Sequence, residues 1–412
     1  MADSEREKLP PELVVDILSR LPAPYLWPLR CVSKSWFQLI AKDPQFAKSI
    51  YDKSVQFKSN PSFVIAWGAK ESCTSEEEKE KLDFYMATDH TQCDKAVQLK
   101  LPFLSDEQNP RRYPVYGICN GMLCLSDDDK HEVYIWNPLT NDHIAIPYPT
   151  TPLKSAENLK TNKSPKSCQT TIFGFAFLPS VNEYKIIKLV SEFYMGKLEY
   201  HTELSVYTLG KDSSWRTVAE DVPYGVDFTN VNCPQNNGYV YWLARSDGEW
   251  PIGSILAFEL TDELLYVIDS FDCPPISKRS DMKCIQELGG SLCLFNAKNK
   301  KDVDIWTLEL NGGSFSCTKL CTIGRPEVVG DFSVLIPLGI VACSGDILVL
   351  KNSMAFMTYN MSTKSINHLK GFCSPIVNAH AFSGSIISPR VINGNTRVSE
   401  KTKGKFSLSN LS

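Results

Sequence analysis

With 412 residues, 43% of them hydrophobic and 22% charged, the chain has an ordinary globular composition, which excludes wholesale disorder and leaves room for one small and one large domain. A formal net charge of -4, with Lys and Arg dispersed until the last stretch, offers no basic surface to a phosphate backbone, so no nucleic acid is expected as a partner. The opening MADSEREKLPPEL is charged where a secretory signal needs an apolar centre, and apolar runs such as Val334 to Cys343 are too short to span a bilayer; a cytoplasmic or nuclear protein without membrane contact is expected.

The first element is a helix starting near Pro11, because proline fits a first helical turn and Glu12 suits the positive end of the dipole. Leu13, Val14, Ile17, Leu18 and Leu21 recur at one-face spacing along it. Pro22 and Pro24 end it. Leu26, Leu29 and Val32, then Trp36, Leu39 and Ile40, continue the pattern in two further short helices, with a stop at Asp43-Pro44. Three helices in about 40 residues bury too little surface to stand alone, so this segment calls for a partner.

LPPELVVDILSRLP at 9–22 followed by LRCVSKSW at 29–36 resembles the F-box motif. The resemblance implies a small all-α domain of three short helices over residues 1–50. It also implies binding to a Skp-type adaptor and, through it, to a cullin-RING ligase. Carried over by position, it puts Leu9, Pro10, Leu13, Ile17, Leu21, Pro22 and Leu26 at the adaptor contact or directly beneath it, and Cys31, Val32 and Trp36 in the packing of the domain. Related sequences usually carry a basic or polar residue where this chain has Pro28, next to Trp27; a proline there kinks the second helix unless it falls in the first turn.

Beyond residue 55 the texture changes to short β-branched and aromatic runs separated by Gly, Asn, Asp, Ser and Pro. Glu76 to Lys81 interrupts it as a charged insertion. A unit recurs in which a glycine precedes an apolar strand and a second strand carries an aromatic residue. It pairs Gly121 with Trp136, Gly174 with Tyr207, Gly238 with Phe258, Gly290 with Trp306 and Gly345 with Tyr359, and the 64-residue step from Gly174 to Gly238 is the irregular one. A period near 50 residues fits a kelch-like β-propeller, and Phe63–Trp67 with Val97–Leu101 supplies one more unit, for about six blades.

GICNGMLCL at 117–125, IWNPLTN at 135–141 and FGFAFLPSVNEYKIIKL at 173–189 resemble the F-box-associated domain of plant F-box proteins. That resemblance implies an all-β substrate-recognition domain over 55–388. Within it, the loops around Phe193, Tyr194 and Met195 and around Trp250 set large apolar side chains among turn residues, the composition of a protein-binding hot spot. The competing reading packs these rings under their own loops. Residues 389–412, with Arg390, Arg397, Lys401, Lys403 and Lys405, read as a flexible basic tail.

The fourteen cysteines are spread singly with no Cys-x-x-Cys pair, so free thiols rather than zinc or disulfides are expected. Asn162 and Asn360 head glycosylation sequons that an intracellular chain does not use. The histidines at 90, 131, 143, 201, 368 and 380 lack ligand spacing, and Asp127-Asp128-Asp129 reads as a hairpin turn. No phosphate loop or activated nucleophile is recognisable. No cofactor, metal or catalytic residue is expected. The expected function is substrate recognition in an SCF-type (Skp adaptor, cullin, F-box) ubiquitin ligase, marking a protein for proteasomal degradation. A propeller-type enzyme and a non-degradative adaptor-bound scaffold are the alternatives.

Overall fold

The computed structural model describes residues 9–56, 63–69, 82–87, 96–103, 113–149, 167–194, 199–226, 233–246, 253–268, 282–298, 302–311, 314–324, 335–340, 345–351, 355–369 and 376–394. The N-terminal segment is helical: α1 (Pro11–Ser19), α2 (Ala23–Leu26), a 3-10 helix (Trp27–Cys31), α3 (Lys34–Lys42) and α4 (Pro44–Gln56). Three short helices were expected, and two differences have local causes. Pro28 falls just inside the 3-10 helix, where its missing N–H ends the α-helical ladder of α2. Asp43-Pro44 stops α3 as expected, but the same pair launches α4: Asp43 Oδ1 accepts from the backbone of Gln45 at 2.9 Å and Phe46 at 3.1 Å, a side-chain cap. The helical domain therefore runs to residue 56.

The rest is all β. Five antiparallel sheets follow one another along the chain: II, β4 (Val115–Cys119) to β7 (His143–Pro147); III, β8 (Ser167–Leu178) to β11 (Arg216–Val222); IV, β12 (Tyr224–Val226) to β16 (Leu265–Ile268); V, β17 (Met282–Leu288) to β20 (Ser314–Gly324); and VI, β21 (Leu335–Ile340) to β24 (Ile366–Leu369). Sheet I joins both ends of the domain, in the order β25 (Ile376–Phe382), β1 (Phe63–Ala69), β2 (Leu82–Ala87), β3 (Val97–Leu99). Strands touch across sheet boundaries: β4 meets β8, β14 (Tyr239–Ser246) meets β17, β17 meets β21 and β21 meets β25. This is a β-propeller, closed by pairing the last strand with the first.

Inner strands are covered on both faces, and Met122 through Asp127 in β5 (Met122–Asp127) are all buried, whereas outer strands alternate or lie open: β7 buries only Ile144 and Ile146, and β11 buries no residue. Asn120-Gly121, Asn237-Gly238 and Gly289-Gly290 each hold two successive residues at positive φ, the geometry of a two-residue hairpin. Gly174 is different. It lies within β8 in extended backbone, where a Cβ would come within 2.7 Å of the Trp242 ring of sheet IV. The matching turn of sheet III is at Asn182, at φ 56, 61 residues after Gly121 and 56 before Gly238. Once the turn, not the packing glycine, is counted, the 64-residue step shortens to 56 and the longest interval is the 61 residues before it.

Two sequence readings change. Cys317 is disulfide-bonded, against the expectation of free thiols throughout, while Cys124, Cys233 and Cys293 are buried free thiols. Residues 389–394 are not a loose tail: α5 (Pro389–Ile392) packs into the fold. Asn360, of the second sequon, turns the chain inside sheet VI, accepting from Ser362 and Thr363 and donating to Asp346 at 2.7 Å.

Candidate functional site

In α1 the apolar stripe divides into two. Leu18 is 2% exposed and shares one core with Leu26, Ile40, Phe46 and Ile50, whereas Leu13 and Ile17, one turn apart, are each 51% exposed, and Leu9 is 59% exposed. Val14 and Leu21 sit between these extremes, half-buried against the core. Large apolar side chains repeated this way on a helix surface mark a contact site. Pro10 is exposed beside them and Pro22 is half-buried.

Leu26 is fully buried, which puts it beneath the surface of the helices, the second of the two places open to it. Two assignments made from position need correction. Cys31 and Val32, at the end of the 3-10 helix and just past it, are not packed inside the domain; both are exposed, Val32 at 62%. Trp36 is half-buried against the core, with its backbone N–H capped by Ser33 Oγ at 3.2 Å. Exposed Tyr25 was missed, since a single-stripe pattern has no place for a second apolar face. Trp27 is buried, and the Arg30 guanidinium lies 4.1 Å from the centre of its ring.

The helices lie at one face of the propeller. Lys48 of α4 stands over the Phe177 ring at the end of β8, and Leu18, Phe46 and Ile50 belong to the same core as Met122, Phe177 and Ile187. That face carries the turns at Asn120, Asn137 and Asn182. Antiparallel alternation sends the ends of β9 (Glu183–Tyr194) and β14 (Tyr239–Ser246) to the opposite face.

Those two ends are neighbours. The Phe193 ring lies 4.7 Å from Tyr200, Tyr200 covers Gly225, Thr202 Oγ1 donates to the Tyr224 carbonyl at 2.5 Å, and Tyr224 pairs with Ser246. Of the expected substrate contacts, Phe193 is half-buried at this edge. Tyr194 is 3% exposed with its ring edge-on to His201, so it packs inside sheet III and offers no surface. Met195 and Trp250 lie outside the described residues.

Among the described residues no group of three or more His, Cys, Asp or Glu side chains could hold a metal, and no helix is long and apolar enough to cross a membrane. Asp127 is tied to Tyr113 and to the backbone of Lys130, which makes its triplet a hairpin turn. Burial pushes the free thiols at Cys119 and Cys293 up to about 12, the reverse of what a nucleophile needs.

Comparison with known proteins agrees with both domains. The F-box domain matches residues 7–48, and the F-box associated beta propeller domain matches residues 72–371. Relatives in Arabidopsis thaliana include F-box protein At3g07870, 25% identical over 77% of this chain and 73% of that protein. F-box protein CPR1 is 24% identical over 88% of this chain and 84% of its own length. F-box/kelch-repeat protein At3g23880 is 23% identical over 76% and 79%. With helices, propeller and both family matches in register, the chain belongs to the plant F-box proteins that carry an F-box associated β-propeller domain.

Proposed function

We propose that the protein is the substrate-recognition subunit of an SCF-type ubiquitin ligase. One observation carries this reading: Leu13 and Ile17 stand exposed on α1, with exposed Leu9 just ahead of it, in the segment that the F-box match covers. Each of these side chains is already about half covered, so burying it on an adaptor is favourable by roughly 0.8 to 1.5 kcal/mol, half the value for full burial. The propeller then holds a protein substrate on the face away from the helices, around the edge where Phe193 lies against Tyr200. Ubiquitin chemistry belongs to the other subunits, and this chain supplies proximity and orientation.

Degradation separates this reading from adaptor-bound sequestration. Proteins captured by the intact chain are quantified in cells with and without a proteasome inhibitor, and in cells expressing the Leu13→Asp, Ile17→Asp variant instead. A receptor predicts that some captured proteins accumulate under both treatments. A captured set whose abundance does not respond to either contradicts it.

A further inference from the structure

The chain continues past the strand that closes the ring. β25 ends at Phe382, and the next twelve residues run between the propeller and the helices, bonded to each in a different way. Toward the propeller the contacts are polar. Asn137 Nδ2 donates to the carbonyls of Ser385 at 2.9 Å and Ile387 at 2.8 Å, and Ser385 Oγ donates to the Asn120 carbonyl at 2.7 Å. Ser388 Oγ donates to Asp142 Oδ2 at 2.8 Å, Arg390 Nε to the His143 carbonyl at 3.0 Å, and the Gly210 N–H to Asn393 Oδ1 at 3.1 Å. Toward the helices the contacts are apolar: Ile386, Ile387, Val391 and Ile392 face Ile40, Ala41, Pro44 and Ala47 across a shared crevice.

The turn of sheet VI provides an internal control. Asn360 makes the same Asx turn as Asn137, with its side-chain oxygen accepting from the backbone two and three residues ahead, yet its amide donates inside its own sheet, to Asp346. In sheet II that amide is given to the C-terminal segment. Close approach is also reserved for it: a Cβ on Gly121 would lie 2.6 Å from Ser385 Oγ, and one on Gly210 would lie 2.4 Å from the Ile392 carbonyl. Asp142 gathers charge from all three parts, facing Arg390 of the segment and Lys42 and Arg30 of the helical domain.

We propose that residues 383–394 are a strap that fixes the propeller's orientation on the F-box, with Asn137, Asp142, Ser385, Ser388 and Arg390 as its positioning residues. The consequence for ubiquitin transfer, a substrate face held at a set angle to the adaptor, rests on the receptor function proposed above; the strap itself does not.

The test compares the full chain with a truncation after Phe382 and with a Ser388→Ala, Arg390→Ala double variant. Small-angle scattering and the rate of proteolysis between Gln56 and Phe63 report the coupling, and capture by a Skp-type adaptor is measured on the same preparations. Truncation is expected to enlarge the maximum dimension and to raise the cleavage rate about tenfold, the double variant about threefold, with adaptor capture unchanged. Ser388→Thr, which keeps the hydroxyl, restores wild-type cleavage when paired with native Arg390. Should the truncated chain not fold, the double variant decides. Wild-type scattering and cleavage in a folded variant would overturn the strap. Failure of the wild-type chain to capture adaptor would count against the receptor function and leave the strap result standing.

Discussion

Leu13 and Ile17 differ from Leu18 in direction, not in chemistry: all three are apolar residues of one nine-residue helix, and only rotation about its axis separates outside from inside. Their types were legible in the sequence and their sides were not, because periodicity finds a stripe without saying what covers it. Leu26 and Val32 make the same point in reverse. Leu26→Ala should lower stability by about 2 to 5 kcal/mol in urea unfolding, the cost of a cavity, while a folded Leu26→Ala protein still captures adaptor. A loss of capture in folded protein would return Leu26 to the contact surface.

His143 gives a pH dependence. Burial, helped by the nearby Arg390 charge, pushes its imidazole down to about 4 from the ordinary 6.5, and burial does the same to His380. As pH falls from 6.5 towards 4 the unfolded chain takes up these protons and the folded chain does not, so stability declines through that window. Between pH 7 and 5 the loss should be roughly 1 to 2 kcal/mol, discounted for the partial exposure of His143, and His143→Gln should flatten the slope. An unchanged slope in that variant would remove His143 from the explanation.

Elements were readable where local chemistry decides them. The start of α1 at Pro11, its end before Pro22 and the end of α3 at Asp43 all follow from proline and capping rules. α4 was not readable, because Asp43-Pro44 stops one helix and starts another with the same residues. The repeat of sheets showed through its turn glycines, and Gly174 misled because close packing against Trp242 and a tight turn both select glycine. Pro28 can now be judged by its place. It lies near the start of a 3-10 helix where no α-helical bond is lost from the middle of a longer helix, so Pro28→Ala should change adaptor affinity less than about threefold. A gain of tenfold or more would show that the proline weakens the contact.

At the scale of the molecule, composition and repeats announced a small helical domain before a β-propeller, and the motif strings pointed to the family. Ring closure by β25 and the bonds from Asn137 to the strap were hidden, since they join residues more than two hundred positions apart, and the shared core between domains was hidden because periodicity within one element does not show what covers it. These long-range contacts close the ring, seat the helices on one face of the propeller and leave Leu13 and Ile17 exposed on α1.

The most direct test of that layout is a calorimetric titration of a purified Skp-type adaptor into the full chain and into its Leu13→Asp, Ile17→Asp variant. Binding below about 1 μM by the native chain, and weaker by about a hundredfold or more in a variant with unchanged thermal melting, is the predicted result. No binding by the native chain, or undiminished binding by the variant, would contradict the assignment of α1 as the adaptor contact.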